Sequence, residues 1–152
     1  MLRILFVCLG NICRSPMAQF VFQKMVADRG LSDYFEIDSA ATESYNEINH
    51  EGIYFGTREI LKAKNIPFEE HYSRQIRLKD YEYFDYIIAM DDGNIEDIQS
   101  LTGLDTERKI HRLLDFTANP RNIKDPWYTG NFEECYQDVY EGCEAFLNFL
   151  KV

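Results

Sequence analysis

Residues 2–16, LRILFVCLGNICRSP, decide the fold that this sequence adopts. Residues 2–8 form a compact β-favouring run, which predicts a strand buried on both faces. Gly10 and Asn11 tolerate the left-handed backbone of a tight loop. Ser15 and Pro16 then predict a helix with Ser15 as its N-cap and Pro16 at its first position. The chain therefore opens with a strand, a short loop and a helix.

The rest of the sequence continues this alternation. We predict that the first helix ends at Gly30, and we predict three more strands and three more helices. The strands cover residues 34–40, 86–90 and 109–114, and the helices cover 57–64, 92–101 and 132–150. Residues 41–56 and 115–130 are predicted loops, and YEYFDY (81–86) is interpreted as a packed approach to a strand. Alternating strands and helices indicate an α/β fold with a parallel sheet, in one domain over residues 1–152.

Composition and charge restrict the class of protein. The chain has 152 residues, 45% of them hydrophobic, and its net charge is −10. Nucleic acids and anionic membranes would be repelled by so acidic a surface, so we expect neither as a partner. We expect no membrane span, because no stretch approaches roughly 20 apolar residues. Four cysteines are few for a secreted disulfide framework, and no signal peptide is expected, so a cytoplasmic protein with reduced thiols is predicted.

The loop between the first strand and the first helix is the candidate functional site. In parallel sheets, ligands bind at the carboxyl ends of strands beside helix N-termini. Consecutive amides at a helix N-terminus form an anion-binding nest, and Arg14 can add bidentate hydrogen bonds to a phosphate. In such surroundings we expect Cys8 to be a thiolate that can attack phosphorus in line. The spacing of Cys8 and Arg14 is a weak signal by itself, and a structural turn with a buried Cys8 is the alternative.

A general acid is the other requirement of this chemistry, because the oxygen that leaves phosphorus needs a proton. The sequence offers several candidates for this acid, which are Asp38, Asp91, Asp92, Asp115 and Asp125. Pro126 favours Asp125, since a residue before proline is restricted to extended conformations.

The sequence resembles the low-molecular-weight protein tyrosine phosphatases over nearly its whole length. The similar segments are CLGNICRSPMA (8–18), IDSAAT (37–42), HYSRQI (71–76), FDYIIAMD (84–91) and DPWYTG (125–130). The resemblance implies a three-layer α/β/α fold with a four-stranded parallel sheet in the order 2-1-3-4. It also implies hydrolysis of phosphotyrosine in proteins, and of small aryl phosphates, without a metal or cofactor. The protein is then expected to be a monomer or a weak homodimer.

Individual roles also follow from the resemblance. Cys8 is the expected nucleophile, Arg14 binds phosphate and stabilises the transition state, and Asp125 is the general acid and then the base. The loop expected to bind phosphate or sulfate comprises Leu9, Gly10, Asn11, Ile12, Cys13, Arg14 and Ser15. Within it, Asn11 supports the backbone conformation and Ser15 hydrogen-bonds the thiolate.

The resemblance extends to residues outside the loop. Ser39 and His71 are expected to support the loop from behind. Tyr45, Trp127 and Tyr128 would form aromatic walls for the substrate ring; vertebrate relatives usually have Trp where Tyr45 stands and often Tyr where Trp127 stands. Cys13 is the expected partner of Cys8 in a reversible protective disulfide, and the alternative is an unreactive thiol.

Two other functions remain possible at this point. A thioredoxin-coupled arsenate reductase can have the same fold and a similar loop, but it needs further thiols on a mobile segment near the site. The remaining cysteines, Cys135 and Cys143, lie on the apolar stripe of the last helix and are predicted core residues. A non-catalytic phosphotyrosine-binding module would normally lack Cys8 or Asp125. Residues 50–58 depart from the family pattern, and no role is predicted for them.

Overall fold

A four-stranded parallel sheet forms the centre of the computed structural model, which describes all 152 residues. The strands are β1 (Leu2–Cys8), β2 (Phe35–Ala41), β3 (Tyr86–Ala89) and β4 (Ile110–Arg112). Their order is β2-β1-β3-β4, and every neighbouring pair is parallel. The predicted parallel sheet and its strand order are therefore confirmed.

Seven α-helices surround the sheet. They are α1 (Arg14–Asp28), α2 (Tyr45–Ile48), α3 (Phe55–Ala63), α4 (Leu78–Tyr83), α5 (Asp92–Thr102), α6 (Pro126–Thr129) and α7 (Phe132–Leu150). Short 3-10 turns cover Ser32–Tyr34 and Leu113–Phe116. The bounds of α7 coincide with the prediction from its apolar stripe. None of the helices combines the length and the apolar character that crossing a bilayer requires.

The two faces of the sheet have separate hydrophobic cores. Along β1, Ile4 and Phe6 contribute to a core shared with α1, α3 and α7. Leu5 and Val7, which point to the other face, contribute to a smaller core that includes residues of α4 and α5. Side chains alternate across a strand, so an all-apolar strand such as β1 must be covered on both sides. The predicted three-layer arrangement is confirmed.

The start of α1 differs from the prediction. Its N-cap is Cys13, which makes no side-chain capping hydrogen bond, so the prediction of Ser15 as N-cap is wrong. The Ser15 hydroxyl instead lies 3.1 Å from the Cys8 sulfur, a buried partner that competes with capping. The end of α1 is as predicted: Gly30 has a φ of +70° and its amide donates to the Ala27 carbonyl.

Other differences concern short elements. The predicted loop 41–56 contains α2 and the start of α3, and the predicted loop 115–130 contains α6. The predicted strand 109–114 is shorter, because the chain turns into a 3-10 helix at Leu113. YEYFDY was interpreted as an approach to a strand, but its first residues belong to α4. There the Asp80 carboxylate accepts from the Arg77 amide at 2.8 Å, which stabilises the first turn.

The strand order fixes where a ligand can bind. The chain leaves β1 for β2 on one side, whereas β3 and β4 lie on the other side of β1. The carboxyl ends of β1 and β3 lie side by side, since Val7 pairs with Ala89. A crevice forms at such a switch point of the topology. The loop after Cys8 and the segment after Met90 therefore meet there.

Candidate active site

The loop from Cys8 to Ser15 curls around the N-terminus of α1. The amides of Gly10, Ile12, Cys13, Arg14 and Ser15 donate to no acceptor within the chain. Free amides converging at a helix N-terminus, together with the helix dipole, attract an anion. The geometry is therefore suited to a group with several oxygens, such as phosphate or sulfate.

Cys8 lies at the base of this loop, and 3% of the residue is exposed. The Asn11 amide donates to Sγ at 3.2 Å, and the Ser15 hydroxyl lies 3.1 Å from it. Asn11 Nδ2 donates to the same hydroxyl at 2.7 Å, and that hydroxyl also lies 3.4 Å from the Ala40 carbonyl, to which it can donate. The sulfur therefore accepts one hydrogen bond from the loop backbone and has the Ser15 hydroxyl as a second polar neighbour.

Asn11 supports the loop from inside. Its φ of +55° is in the left-handed region, which Asn tolerates better than most residues, and the side chain is completely buried. Besides its bond to Ser15, Nδ2 donates to Ser39 Oγ at 3.0 Å. Ser39 Oγ in turn donates to Gln19 Oε1 at 2.6 Å. The loop backbone is thereby connected to β2 and α1 by side-chain hydrogen bonds.

His71 completes this network behind the loop. Its Nε2 lies 2.9 Å from Asn11 Oδ1 and 3.1 Å from Ser39 Oγ. Because Asn11 Oδ1 can only accept, we assign the proton of the neutral ring to Nε2. Burial lowers the pKa of His71, against the attraction of Asp38, and the positive charge of Arg74 lowers it further. The ring is therefore neutral at neutral pH.

Arg14 is almost completely buried, and its guanidinium is fixed on one side. Nη1 donates to Asp91 Oδ2 and to the Ile123 carbonyl, both at 2.7 Å. Burial opposes the charge of Arg14, but the Cys8 sulfur, Asp91 and Asp125 outweigh it and raise the pKa above its ordinary value. Arg14 thus provides a fixed positive charge beside the amides of the loop.

Asp125 contacts the other terminal nitrogen of the Arg14 guanidinium. Its Oδ2 is 3.5 Å from Arg14 Nη2, a longer contact than that of Asp91. Oδ1 accepts from the Trp127 amide at 3.0 Å, because Asp125 is the N-cap of α6 and Pro126 follows at the first helical position. This short helix fixes the carboxylate at the edge of the cavity.

An open cavity of about 520 Å³ leads from the solvent to Cys8. Among the predicted residues, it is lined by Cys8, Leu9, Gly10, Ile12, Cys13, Arg14, Tyr45, Asp125, Trp127 and Tyr128. Asn11, Ser15, Ser39 and His71 are not in the wall, and all four lie in the hydrogen-bond network described above. The three aromatic side chains are more than half exposed, so their ring faces are available.

Cys13 shares the loop with Cys8, and all four cysteines are free thiols in this structure. Burial raises the pKa of Cys13, and the neighbouring Cys8 and Asp125 raise it further. Cys135 and Cys143 are buried in α7, as predicted, and burial raises the pKa of Cys135 to about 12. These three side chains are therefore protonated at neutral pH.

Several residues of the site were not identified from the sequence. Tyr54 lines the cavity, its ring centroid is 4.9 Å from that of Trp127, and its amide donates to the Ile12 carbonyl. Glu43 and Glu51 also line the cavity. Asp91 was considered only as an acid, whereas it anchors Arg14. Asp91 directly follows the strand 86–90, and this position at the carboxyl end of a parallel strand is the sequence feature that indicates a place in the site. No local feature of the sequence indicates Tyr54.

Comparisons with known proteins agree with this geometry. A family model described as "Low molecular weight phosphotyrosine protein phosphatase" matches residues 3–152. The low molecular weight protein-tyrosine-phosphatase YfkJ of Bacillus subtilis (strain 168) is 44% identical over 151 residues, 97% of this chain and 94% of that protein. Its crystal structure has a TM-score of 0.92, covering 99% of this chain and 95% of the other.

Similar proteins also occur in humans and in Drosophila. The human low molecular weight phosphotyrosine protein phosphatase is 40% identical over 149 residues, covering 95% of this chain and 92% of that protein. The crystal structure of a Drosophila arginine phosphatase has a TM-score of 0.87 at 31% identity and covers 98% of both chains.

Proposed function

Because this chain belongs to the low molecular weight phosphotyrosine protein phosphatase family, we propose that it hydrolyses phosphotyrosine in proteins through a phosphocysteine on Cys8. Small aryl phosphates are further substrates on this proposal. One observation carries the mechanism: the Asn11 amide donates to the Cys8 sulfur, and the Ser15 hydroxyl lies 3.1 Å from it, at the base of a cavity that Arg14 also lines.

The first step is transfer of the phosphoryl group to sulfur. The phosphate oxygens bind to the free amides of the loop and to Arg14, which brings phosphorus above the Cys8 thiolate. A bond forms between Sγ and phosphorus while the bond from phosphorus to the phenolic oxygen breaks. Asp125, as the carboxylic acid, donates its proton to the departing oxygen, so that tyrosine leaves as the neutral phenol.

The second step is hydrolysis of the phosphocysteine. Asp125, now a carboxylate, takes a proton from a water molecule as the water oxygen attacks phosphorus. The bond between sulfur and phosphorus breaks, inorganic phosphate forms, and Cys8 returns as the thiolate. The hydrogen bonds from the Asn11 amide and the Ser15 hydroxyl stabilise that leaving thiolate, and Arg14 neutralises charge on the equatorial oxygens.

The aromatic walls support an aryl phosphate as substrate. Tyr45, Trp127 and Tyr128 present ring faces at the cavity mouth, on which a flat substrate ring can stack. Tyr54 packs edge-on against Trp127 and stacks on Phe132 at 5.7 Å, which restricts the motion of the wall. A phosphoserine side chain has no ring to stack on those walls.

The arsenate reductase alternative finds less support. It needs additional thiols on a mobile segment near Cys8, and Cys135 and Cys143 are buried in the long helix α7. The non-catalytic alternative is also weaker, because Cys8 and Asp125 are both present and both line the cavity.

A Cys8→Ser variant tests the proposal. We expect it to lose hydrolysis of p-nitrophenyl phosphate and of a phosphotyrosine peptide, because a serine hydroxyl is a far weaker nucleophile than a thiolate. It should still fold and bind sulfate, as measured by circular dichroism and by sulfate-dependent thermal stability. Cys143→Ala removes a completely buried thiol that does not interact with Cys8 or Arg14, and it should keep activity. A Cys8→Ser protein with near-normal turnover would refute the nucleophile.

A further inference from the structure

The wall of the active-site cavity contains both aromatic and acidic side chains. Trp127 and Tyr128 are aromatic, and Glu43 and Glu51 are acidic. Arg14 is the only basic residue that lines the cavity, and it is buried at the bottom. The mouth of the site therefore carries negative charge, although the substrate is itself an anion.

Neither acidic side chain is neutralised by the rest of the chain. Glu43 and Glu51 make no ion pair with any Lys, Arg or His, unlike nearby Glu47, which pairs with Arg77 at 2.8 Å. Arg58, the closest cation along the chain to Glu51, donates to the Ile53 carbonyl and faces the ring of Phe68. Both carboxylates are thus available to a bound partner.

The backbone fixes the two glutamates relative to the phosphate loop. The Glu43 amide donates to the Leu9 carbonyl at 3.1 Å. Glu51 is bonded on both sides, since its amide donates to the Asn46 carbonyl and its own carbonyl accepts from the Ser73 amide. Asn46, which is buried, donates from Nδ2 to the Gly10 carbonyl at 3.0 Å. The backbone positions from which the two carboxylates extend are therefore fixed beside the phosphate loop.

From this arrangement we propose that Glu43 and Glu51 select phosphotyrosine sites that have Lys or Arg next to the phosphotyrosine. The proposal rests on the proposed function, because it concerns residues that flank the same phosphorylated side chain. When the phosphate is in the loop and the substrate ring lies against Trp127 and Tyr128, the adjoining peptide must pass over the mouth of the cavity, which Glu43 and Glu51 also line. A basic side chain there meets an unpaired carboxylate, and an acidic one is repelled.

Elementary electrostatics gives the size of the effect. A unit charge about 6 Å from a carboxylate in water changes affinity about threefold. Exchanging Lys for Glu beside one carboxylate turns the attraction into repulsion. The threefold factor then applies twice, so kcat/KM changes about tenfold. Salt at 1 M reduces the screening length to about 3 Å and should remove most of this preference.

The experiment compares three phosphotyrosine peptides that differ only in the residues directly before and after the phosphotyrosine: Lys, Gln or Glu. We expect the wild-type protein to have a kcat/KM about tenfold higher for the Lys peptide than for the Glu peptide at low salt. In Glu43→Gln/Glu51→Gln that ratio should fall towards one. The ratio is the measured quantity, because removing negative charge raises kcat/KM for every anionic substrate.

A matched variant controls for net charge. Glu96→Gln/Glu144→Gln removes two exposed carboxylates that lie outside the cavity wall and make no ion pair, and it should keep the wild-type ratio. Equal kcat/KM for the three peptides, or an unchanged ratio in Glu43→Gln/Glu51→Gln, would overturn the selectivity while hydrolysis of p-nitrophenyl phosphate continues. Failure of the wild-type protein to hydrolyse any substrate would overturn the proposed function as well.

Discussion

Asp91 and Asp125 are two carboxylates that contact the same guanidinium in different ways. Asp91 makes a 2.7 Å bond to Arg14 and also accepts from the Asn94 amide, so its oxygens are occupied. Asp125 lies 3.5 Å from Arg14 and lines the cavity, which Asp91 does not. A general acid must reach the oxygen that leaves the substrate, so it must lie in the cavity wall. The geometry therefore favours Asp125 as the acid and gives Asp91 a positioning role.

The effect of replacing Asp125 on the reaction rate should therefore depend on the leaving group. We expect Asp125→Ala to lower kcat by a hundred- to ten-thousandfold for phenyl phosphate, because general acid catalysis contributes about that much. p-Nitrophenyl phosphate should lose far less in the phosphorylation step, since p-nitrophenolate leaves without a proton. Pre-steady-state release of each phenol measures that step directly.

Asp115→Ala is the control for this comparison. Asp115 pairs with Arg112 outside the cavity, so its loss should leave both substrates unaffected. An equal loss for good and poor leaving groups in Asp125→Ala would assign the acid to another residue.

Among the elements, those with long apolar periodicity were predictable from sequence and the short ones were not. The nineteen residues of α7 have enough turns for an apolar stripe to define the helix. The four-residue α2 and α6 cannot be stable alone and depend on tertiary contacts. Tyr54 belongs to the site through its contacts with Trp127 and Phe132, which are distant in sequence. Asp125 could be placed because Pro126 and the family motif both mark it.

A substitution in α7 tests how tightly this helix packs against the 3-10 turn after β4. Gly142 is buried in α7, and a Cβ there would lie 2.5 Å from Leu113 Cγ and 3.1 Å from Leu114 Cδ2. Glycine to alanine normally stabilises a helix by about 1 kcal/mol. Overpacking a core costs about 1–3 kcal/mol. We therefore expect Gly142→Ala to lower the free energy of unfolding, measured by urea denaturation.

The matched substitution on the same helix is Glu144→Ala, at an exposed position. It should change the unfolding free energy by less than about 0.5 kcal/mol. A Gly142→Ala protein that is more stable than the wild type would show that α7 can shift away from the turn at little cost.

At the scale of the whole molecule, anion binding works against the net charge of −10. The site succeeds because its positive elements are local and fixed: the free loop amides, the N-terminus of α1 and the buried Arg14. Partly buried groups interact strongly at short range, whereas distant surface charges are screened within about 10 Å in 0.1 M salt. The acidic exterior can therefore discourage polyanions without preventing capture of one phosphate group.

The hydrogen-bond network behind the loop also links this site to the stability of the whole fold. Burial lowers the pKa of His71 in the folded protein below its value of about 6.5 in an unfolded chain. The unfolded chain then binds more protons in that pH range, so the free energy of unfolding rises with pH. This contribution is complete above about pH 6.5 and is lost as the pH falls from there towards the lower pKa of the folded state.

His71→Gln should remove this pH dependence while keeping an N–H donor for Asn11 Oδ1. We expect urea denaturation between pH 5 and pH 8 to give the wild type a steeper rise in unfolding free energy, by at most about 1.4 kcal/mol per pH unit for one proton. His50 and His111 remain in both proteins, so the difference between the two slopes belongs to His71. Identical slopes for wild type and His71→Gln would mean that the folded protein accommodates protonated His71 without loss of stability.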